Sequence, residues 1–249
     1  MEENTRREKQ EIRERIWRLL REQGVARPPF PIEGRIPNFS GAELAAGRLA
    51  SSDIFRKANV VFCNPDSPQR PVREAVLRHG KILIMASPRL RRGFILLDPR
   101  RIPERSYSLA ATIKGAFQFG EIRIDALPLV LPLVDLKVAG SVAVSPEGGR
   151  VGKGGGFSDL EYGILKELEA VSEDTPIATT VHDLQLVERV PMAKHDVPVD
   201  YVFTPSSMVK VQTPRKRPEG VYWGLLEEHE IEAIPLLKML REKRGVNAR

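Results

Sequence analysis

The 249-residue chain carries 39 Lys and Arg against 33 Asp and Glu, a formal charge of +6, and 41% of it is apolar. That supports one large domain or two small ones and excludes wholesale disorder, while the basic balance favours an anionic partner: nucleotide, nucleic acid or polyanionic metabolite. The one cysteine, Cys63, excludes a disulfide framework and a Cys-based zinc site, and its run NVVFC marks it as a buried core thiol.

The N-terminal MEENTRREKQ is charged and lacks the apolar centre of a signal peptide, which reads as a cytoplasmic protein. Residues 4–23 have Ile12, Ile16, Leu19 and Leu20 at helical spacing. ARPPFPIEGRIPNF follows as a proline-broken connector without regular structure, then SGAELAAGRLASSDIFRKA as a helix with Ser40 as N-cap. NVVFC is a buried strand, PQRPVREAVLRHG a helix ending at Gly80, and KILIMA and GFILLD are strands. SLAATIKGAF reads as a helix. ALPLVLPLV is too short and too interrupted by proline for a bilayer span. PLVDLKVAGSVAVS is a strand with its β-branched run at Val142–Val144, SDLEYGILKELEAV a helix, TPIATTV a strand and VDYVFT a last strand. QTPRKRPEG is a basic loop. EEHEIEAIPLLKMLREKRG closes the chain as a helix in which Pro235 requires a start or a kink. Helices alternating with short apolar strands predict an α/β layer fold with a mostly parallel sheet, which binds ligands at the C-terminal ends of its strands.

The stretch RVGKGGGFSD (150–159) sits at such an end. It fits neither a Walker loop nor a Rossmann fingerprint in any register. Gly152, Gly154, Gly155 and Gly156 lack Cβ, so their amides can approach an anion, and Arg150 and Lys153 add charge. Ser158 and Glu161 fit a capping box, which sets a helix N-terminus, the positive end of its dipole, beside the turn. Asp159 either supports that cap or, beside a polyphosphate, binds a divalent cation. Asp196, in the loop KHDVPVD after His195, is a second metal ligand or a solvated loop acid. His182 and Asp183 read as a structural polar pair at the rim. Lys9 and Arg13 share a helix face with Glu8 and Glu11 near, either an exposed salt-bridged face or a clamp on phosphates.

GGRVGKGGGFSD, preceded by a strand with Asp135, resembles the C-terminal motif of 5-formyltetrahydrofolate cyclo-ligases (methenyltetrahydrofolate synthetases), Arg-aliphatic-Gly-x-Gly-x-Gly-Tyr-Tyr-Asp. KQEIR is similar to that family's Lys-x-x-x-Arg opening, GKILIMASPRL to its Gly-Lys strand ending in Pro-Arg, and QLVERVPMAKHDVPVDYVFTP to its Gln, Pro and Asp-x-x-Val-Asp ending. The resemblance covers roughly residues 9–205. RIPNFSGAELAA and NPDSPQRPVRE look closer to the methenyltetrahydrofolate synthase domain-containing branch. It implies a three-layer α/β/α sandwich of the NagB/RpiA/CoA-transferase type over 1–205, with 206–249 packed on the same domain. It implies ATP, Mg2+ and a reduced folate as partners of a monomer. In the reaction this resemblance implies, ATP phosphorylates the formyl oxygen of 5-formyltetrahydrofolate, N10 closes the ring, and phosphate leaves to give 5,10-methenyltetrahydrofolate.

Carried over by position, Lys9 and Arg13 would touch ATP phosphates. Arg150, Val151, Gly152, Lys153, Gly154, Gly155, Gly156, Phe157 and Ser158 would form the ATP loop. Arg150 and Lys153 would be its catalytic cations, Lys153 to Phe157 would also face the folate, and Asp159 and Asp196 would hold Mg2+. Phosphoryl transfer needs such positioning and charge neutralisation and no protein nucleophile. Two departures concern the folate. The Tyr-Tyr pair is Phe157-Ser158, and the slot of a pterin-recognising glutamate holds Pro68, with Asp66 as the nearby carboxylate. The alternatives are a kinase or ligase of the same fold with another acceptor, a nucleotide-binding protein without turnover, and an RNA-binding protein using the basic loops SPRLRRG, DPRRIPER and TPRKRPEG. Against the last, aromatics are 6% and no RNP, KH or zinc-finger pattern occurs.

Overall fold

A computed structural model describes residues 2–123, 131–212 and 216–247. Most of ALPLVLPLV, and Thr213 to Arg215 of the basic loop, lie outside these residues. Among the described residues no helix is long and apolar enough to cross a membrane.

Helix α1 (Glu2–Glu22) buries Ile16, Trp17 and Leu20 on one face, as the spacing requires. The connector is not wholly irregular: β1 (Ala26–Arg27) and β2 (Asn38–Phe39) pair as a short antiparallel ribbon. The next expected helix is two, α2 (Ala42–Ala50) and α3 (Asp53–Lys57). Gly41, at φ 89°, precedes α2 in place of Ser40, whose hydroxyl is bonded to Arg27 instead. Ser52 breaks the run and caps α3 by accepting from the Phe55 amide.

Strand β3 (Val60–Cys63), helix α4 (Arg70–Arg78), strands β4 (Ile82–Ala86) and β5 (Phe94–Leu97), helices α5 (Tyr107–Ala110) and α6 (Ile113–Phe119), and strand β6 (Glu121–Arg123) follow. Thr112 separates α5 from α6 by capping the latter through the Gly115 amide. The long strand expected around Asp135 divides into β7 (Leu136–Ala139) and β8 (Ala143–Val144), and β8 pairs with β9 (Arg150–Val151) outside the main sheet. Then come α7 (Phe157–Glu167), β10 (Ile177–Thr180) and β11 (Tyr201–Phe203). β11 is not the last strand, because a tight turn in which Thr204 bonds Ser207 returns the chain as β12 (Met208–Lys210). The terminal helix is split into α8 (Glu228–Ala233) and α9 (Pro235–Asn247), with Pro235 opening the second.

The main sheet runs β12-β11-β10-β7-β3-β4-β5-β6. Its five inner strands, β11, β10, β7, β3 and β4, are parallel, and β5, β6 and β12 are antiparallel at the margins. Both faces are covered, so inner strands read as continuous apolar runs. Val60 and Phe62 of β3, with Ile84 of β4, join Tyr162, Ile164 and Leu165 of α7 and Leu236, Leu237 and Leu240 of α9. Val61, Cys63, Leu83 and Met85 face the other way, onto Leu49, Val76 and Leu77. Each fully buried Leu, Ile or Phe contributes roughly 1.5–3 kcal/mol by removal from water. One residue breaks the pattern: Lys137, in the middle of β7, is fully buried on the α7 face.

Candidate active site

The C-terminal ends of β3 and β7 meet the glycine loop, the N-terminal half of α1 and the loop before β11. Gly154 (φ 106°) and Gly156 (φ 67°) hold the left-handed conformations that fold the loop back on itself. Helix α7 starts at Phe157 with Gly156 as its N-cap and no side-chain cap. The expected Ser158–Glu161 capping box is therefore absent. Ser158 already lies inside the helix, where its hydroxyl donates to Asn64 Oδ1 at 3.0 Å, and Glu161 faces the sheet.

Each cation predicted around the loop is matched to an acceptor. Lys9 pairs with Asp196, both side chains nearly buried, so this face of α1 is turned inward onto the body of the protein and is not an exposed salt-bridged face. Arg13, one turn on, donates through Nε to the Gly152 carbonyl at 2.7 Å; burial lowers its pKa, and Asp196 partly offsets that. Arg150 is a buried strut with its side chain 2% exposed. It donates to the Gly140 carbonyl at 3.0 Å, the Val197 carbonyl at 3.4 Å and Asp159 Oδ1 at 2.6 Å. Lys153, 42% exposed, reaches from the loop to Asp66 Oδ1 at 2.7 Å.

Asp159 and Asp196 share one corner. The Val197 amide donates to Asp159 Oδ1 at 2.9 Å, directly after Asp196 in the chain. Among the described residues no group of three or more His, Cys, Asp or Glu gathers for a metal. Two carboxylates nonetheless fit the way Mg2+ is held, by one or two acids with phosphate oxygens and water completing the shell. Asp66 lies three residues beyond β3 and accepts from Lys153. Pro68 is buried in the short 3-10 turn that follows.

The remaining candidates are structural. His182 caps the turn 183–185 by accepting from the Leu184 amide, and burial lowers its pKa. Asp183 accepts from the hydroxyls of Thr204 and Ser206. His195 packs edge-on to Tyr222. Two of the basic loops fold onto the protein's own acids, Arg100 on Asp98, Arg101 on Glu121 and Arg217 on Asp200, and Arg92 of SPRLRRG lies over the Phe117 ring. A surface groove of about 880 Å3 lies away from the loop, beside α2 and β11–β12, lined by Leu44, Tyr201 and Met208.

Four further residues belong to the site. Asn64 follows β3 and is 2% exposed. Arg73 of α4, wholly buried, holds the backbone that bears Asn64 and Asp66, donating to their carbonyls at 2.6 and 2.9 Å and to the Ala111 carbonyl at 2.7 Å. Burial lowers its pKa. Glu161 accepts from Asn64, and burial pushes its carboxyl up to about 7 against the pull of Lys137. Burial brings the Lys137 ammonium down to about 8, with Glu161 opposing, and it sits 4.5 Å from the Phe62 ring centroid. A lysine inside DLKVAG is the one sequence signal that pointed to this interior charge; Asn64 and Arg73 carried none.

The sequence model of the 5-formyltetrahydrofolate cyclo-ligase family matches residues 5–205. The chain is 40% identical over 241 residues to a mouse methenyltetrahydrofolate synthase domain-containing protein, covering 94% of this chain and 63% of that one. It is 38% identical over 243 residues to the human protein of the same description, covering 94% and 62%. It thus spans less than two thirds of the length of these relatives. Among solved structures, the fold is similar to that of the Aquifex aeolicus 5,10-methenyltetrahydrofolate synthetase, with a TM-score of 0.51 at 21% identity over 89% of this chain and 97% of that one.

Proposed function

This chain belongs to the 5-formyltetrahydrofolate cyclo-ligase family, and from that premise we propose that it uses ATP to convert 5-formyltetrahydrofolate to 5,10-methenyltetrahydrofolate. The observation that carries the proposal is the meeting of α1 with the glycine loop that opens a helix: Arg13 is bonded to Gly152, and Lys9, one turn away, is paired with Asp196. Residues 13 and 152 are brought together only by the fold. A triphosphate is the ligand class that fits such a cradle of cations and amides.

Lys9 and Lys153 are the ammonium groups able to change partners. Each leaves its carboxylate, Asp196 or Asp66, for a phosphate oxygen. Arg13 and Arg150 stay as struts, holding Gly152 and Asp159 in place. Asp159 and the released Asp196 are the acids that would hold Mg2+, which supplies positive charge to the phosphates when bound. Lys153, at the mouth of the site, neutralises charge on the γ-phosphoryl group as the formyl oxygen attacks its phosphorus and ADP leaves. Phe157 offers a flat face to the pterin, and Asp66 an acceptor for its N–H edge. N10 then adds to the formyl carbon, its proton passes to solvent, and the C–O bond breaks to release phosphate.

Calorimetry with ATP and Mg2+, followed by turnover read from the absorbance of the methenyl product, tests this. Binding of both substrates with product formation is expected; absence of ATP binding overturns it. A second reading, a nucleotide-dependent enzyme with another acceptor, is favoured by one observation. Ser158 turns inward to Asn64 and offers no ring where the family pattern has a second tyrosine. ATP binding without turnover of the folate would select it.

A further inference from the structure

Asn64 is nearly buried, and its single amide serves separate segments of the chain. Oδ1 accepts from the Gly140 amide at 3.1 Å and from Ser158 Oγ at 3.0 Å, and Nδ2 donates to Glu161. The carbonyl of the same Gly140 takes Arg150, and Arg150 takes Asp159, the residue after Ser158. The contacts close a ring: Asn64, Gly140, Arg150, Asp159, Ser158 and back to Asn64. It joins the end of β3, the end of β7, β9 and the first turn of α7, immediately beneath the glycine loop. We propose that Asn64 is the positioning residue of this ring, setting the height of the loop and of Asp159 above the sheet.

The chemistry specifies asparagine. The amide oxygen has two lone pairs and both are used. The Gly140 backbone N–H can only donate, so it fixes Oδ1 toward Gly140 and leaves the amide nitrogen facing Glu161. Aspartate would set a second carboxylate against Glu161. Alanine would leave the Gly140 amide, the Ser158 hydroxyl and Glu161 without their bonds in the interior, where an unmade hydrogen bond is costly. Arg73 braces the ring from behind through the Asn64 carbonyl. The role rests on the reading of the loop as a phosphate cradle, but the ring itself does not.

The test uses the full chain with Ser158→Ala, Ser158→Thr, Asn64→Ala and the double variant Asn64→Ala/Ser158→Ala. ATP affinity is measured by calorimetry, and hydrogen exchange is followed at amides 152–157. Ser158→Ala should weaken ATP about fivefold, the worth of one hydrogen bond, and speed exchange in the loop. Ser158→Thr, which keeps the hydroxyl, should restore both. Asn64→Ala should weaken ATP about tenfold or more, its three side-chain hydrogen bonds being lost together. The double variant should be no worse, since Ser158 acts through Asn64. Additive losses, or a Ser158→Ala protein unchanged in affinity and exchange, overturn the proposal. If Asn64→Ala does not fold, the alanine and threonine variants of Ser158 decide alone. If wild type binds no ATP, the nucleotide reading falls, and loop exchange still judges Asn64.

Discussion

The buried charges beneath the site make a prediction whose sign is not obvious. Glu161 titrates at about 7 in the folded chain against an ordinary 4.5, and Lys137 at about 8 against 10.5. Because the folded carboxyl holds its proton more tightly, stability falls as pH rises from about 4.5 to 7. Because the folded ammonium releases its proton more easily, stability rises from about pH 8 to 10.5. Each displacement corresponds to roughly 3 kcal/mol at 1.36 kcal/mol per pH unit, and the mutual attraction is already included in both. Between pH 7 and 8 the two charges together therefore oppose folding. Lys137→Met/Glu161→Gln, which keeps an acceptor for Asn64, should match wild type or exceed it by about 1–3 kcal/mol. For a chain of this size that is a rise in Tm of roughly 2–10 °C. Lys137→Met alone strands the carboxylate. It should lose about 3 kcal/mol at pH 8 and recover most of it at pH 6, where Glu161 is protonated. Thermal melts from pH 6 to 9 measure all of this. A double variant less stable than either single, or a Lys137→Met protein with a flat pH profile, would refute the reasoning.

The other expectations concern ligands and the Arg150 strut. Lys9→Ala should raise the Kd for ATP about tenfold or more, the scale of one charge-assisted hydrogen bond, in a titration at fixed Mg2+. Asp159→Ala should shift the Mg2+ dependence of ATP binding to higher concentration, whereas equal dependence in variant and wild type would remove the acid from the metal site. Asp66→Asn should tighten ATP by freeing Lys153 while weakening the folate, read as opposite changes in the two KM values. Arg150→Lys should cost about 2–4 kcal/mol in urea unfolding, because one ammonium cannot serve Gly140, Val197 and Asp159 together.

The α/β class, the inner parallel strands and the glycine loop were legible because period and turn chemistry are local. NVVFC, KILIMA and TPIATTV could only be buried strands, and Gly154 and Gly156 sit where positive φ is required. Helix interruptions were less legible. Ser52 and Thr112 restart helices inside apolar patterns that read as continuous, since a cap depends on where the backbone turns and not on periodicity. The Ser158 capping box failed for the opposite reason. The local pattern was right, but tertiary partners, Asn64 for the serine and the sheet interior for Glu161, outcompeted the helix end. That Lys9 and Arg13 share a helix face was visible, and only the packing of α1 beside β8 and β9 decides which way that face points. Asn64 could not be read at all, because its partners lie 76 to 97 positions away in sequence, and Arg73 could not because it serves backbone carbonyls that carry no side-chain signature.

The match to the family ends at residue 205, but the structure does not divide there. β12 pairs along β11, and α9 lays Leu236, Leu237 and Leu240 against the same cluster as Tyr162 and Leu165 of α7. Glu167 of α7 anchors the Trp223 indole and Arg244. A shortened clone ending at residue 205 would delete these three leucines, whose burial is worth roughly 2 kcal/mol apiece, and bare Tyr162 and Leu165 beneath them. It would also loosen the outer side of the helix whose first turn carries Asp159. Fragment design for expression or crystallisation should follow the packing and keep the last forty or so residues.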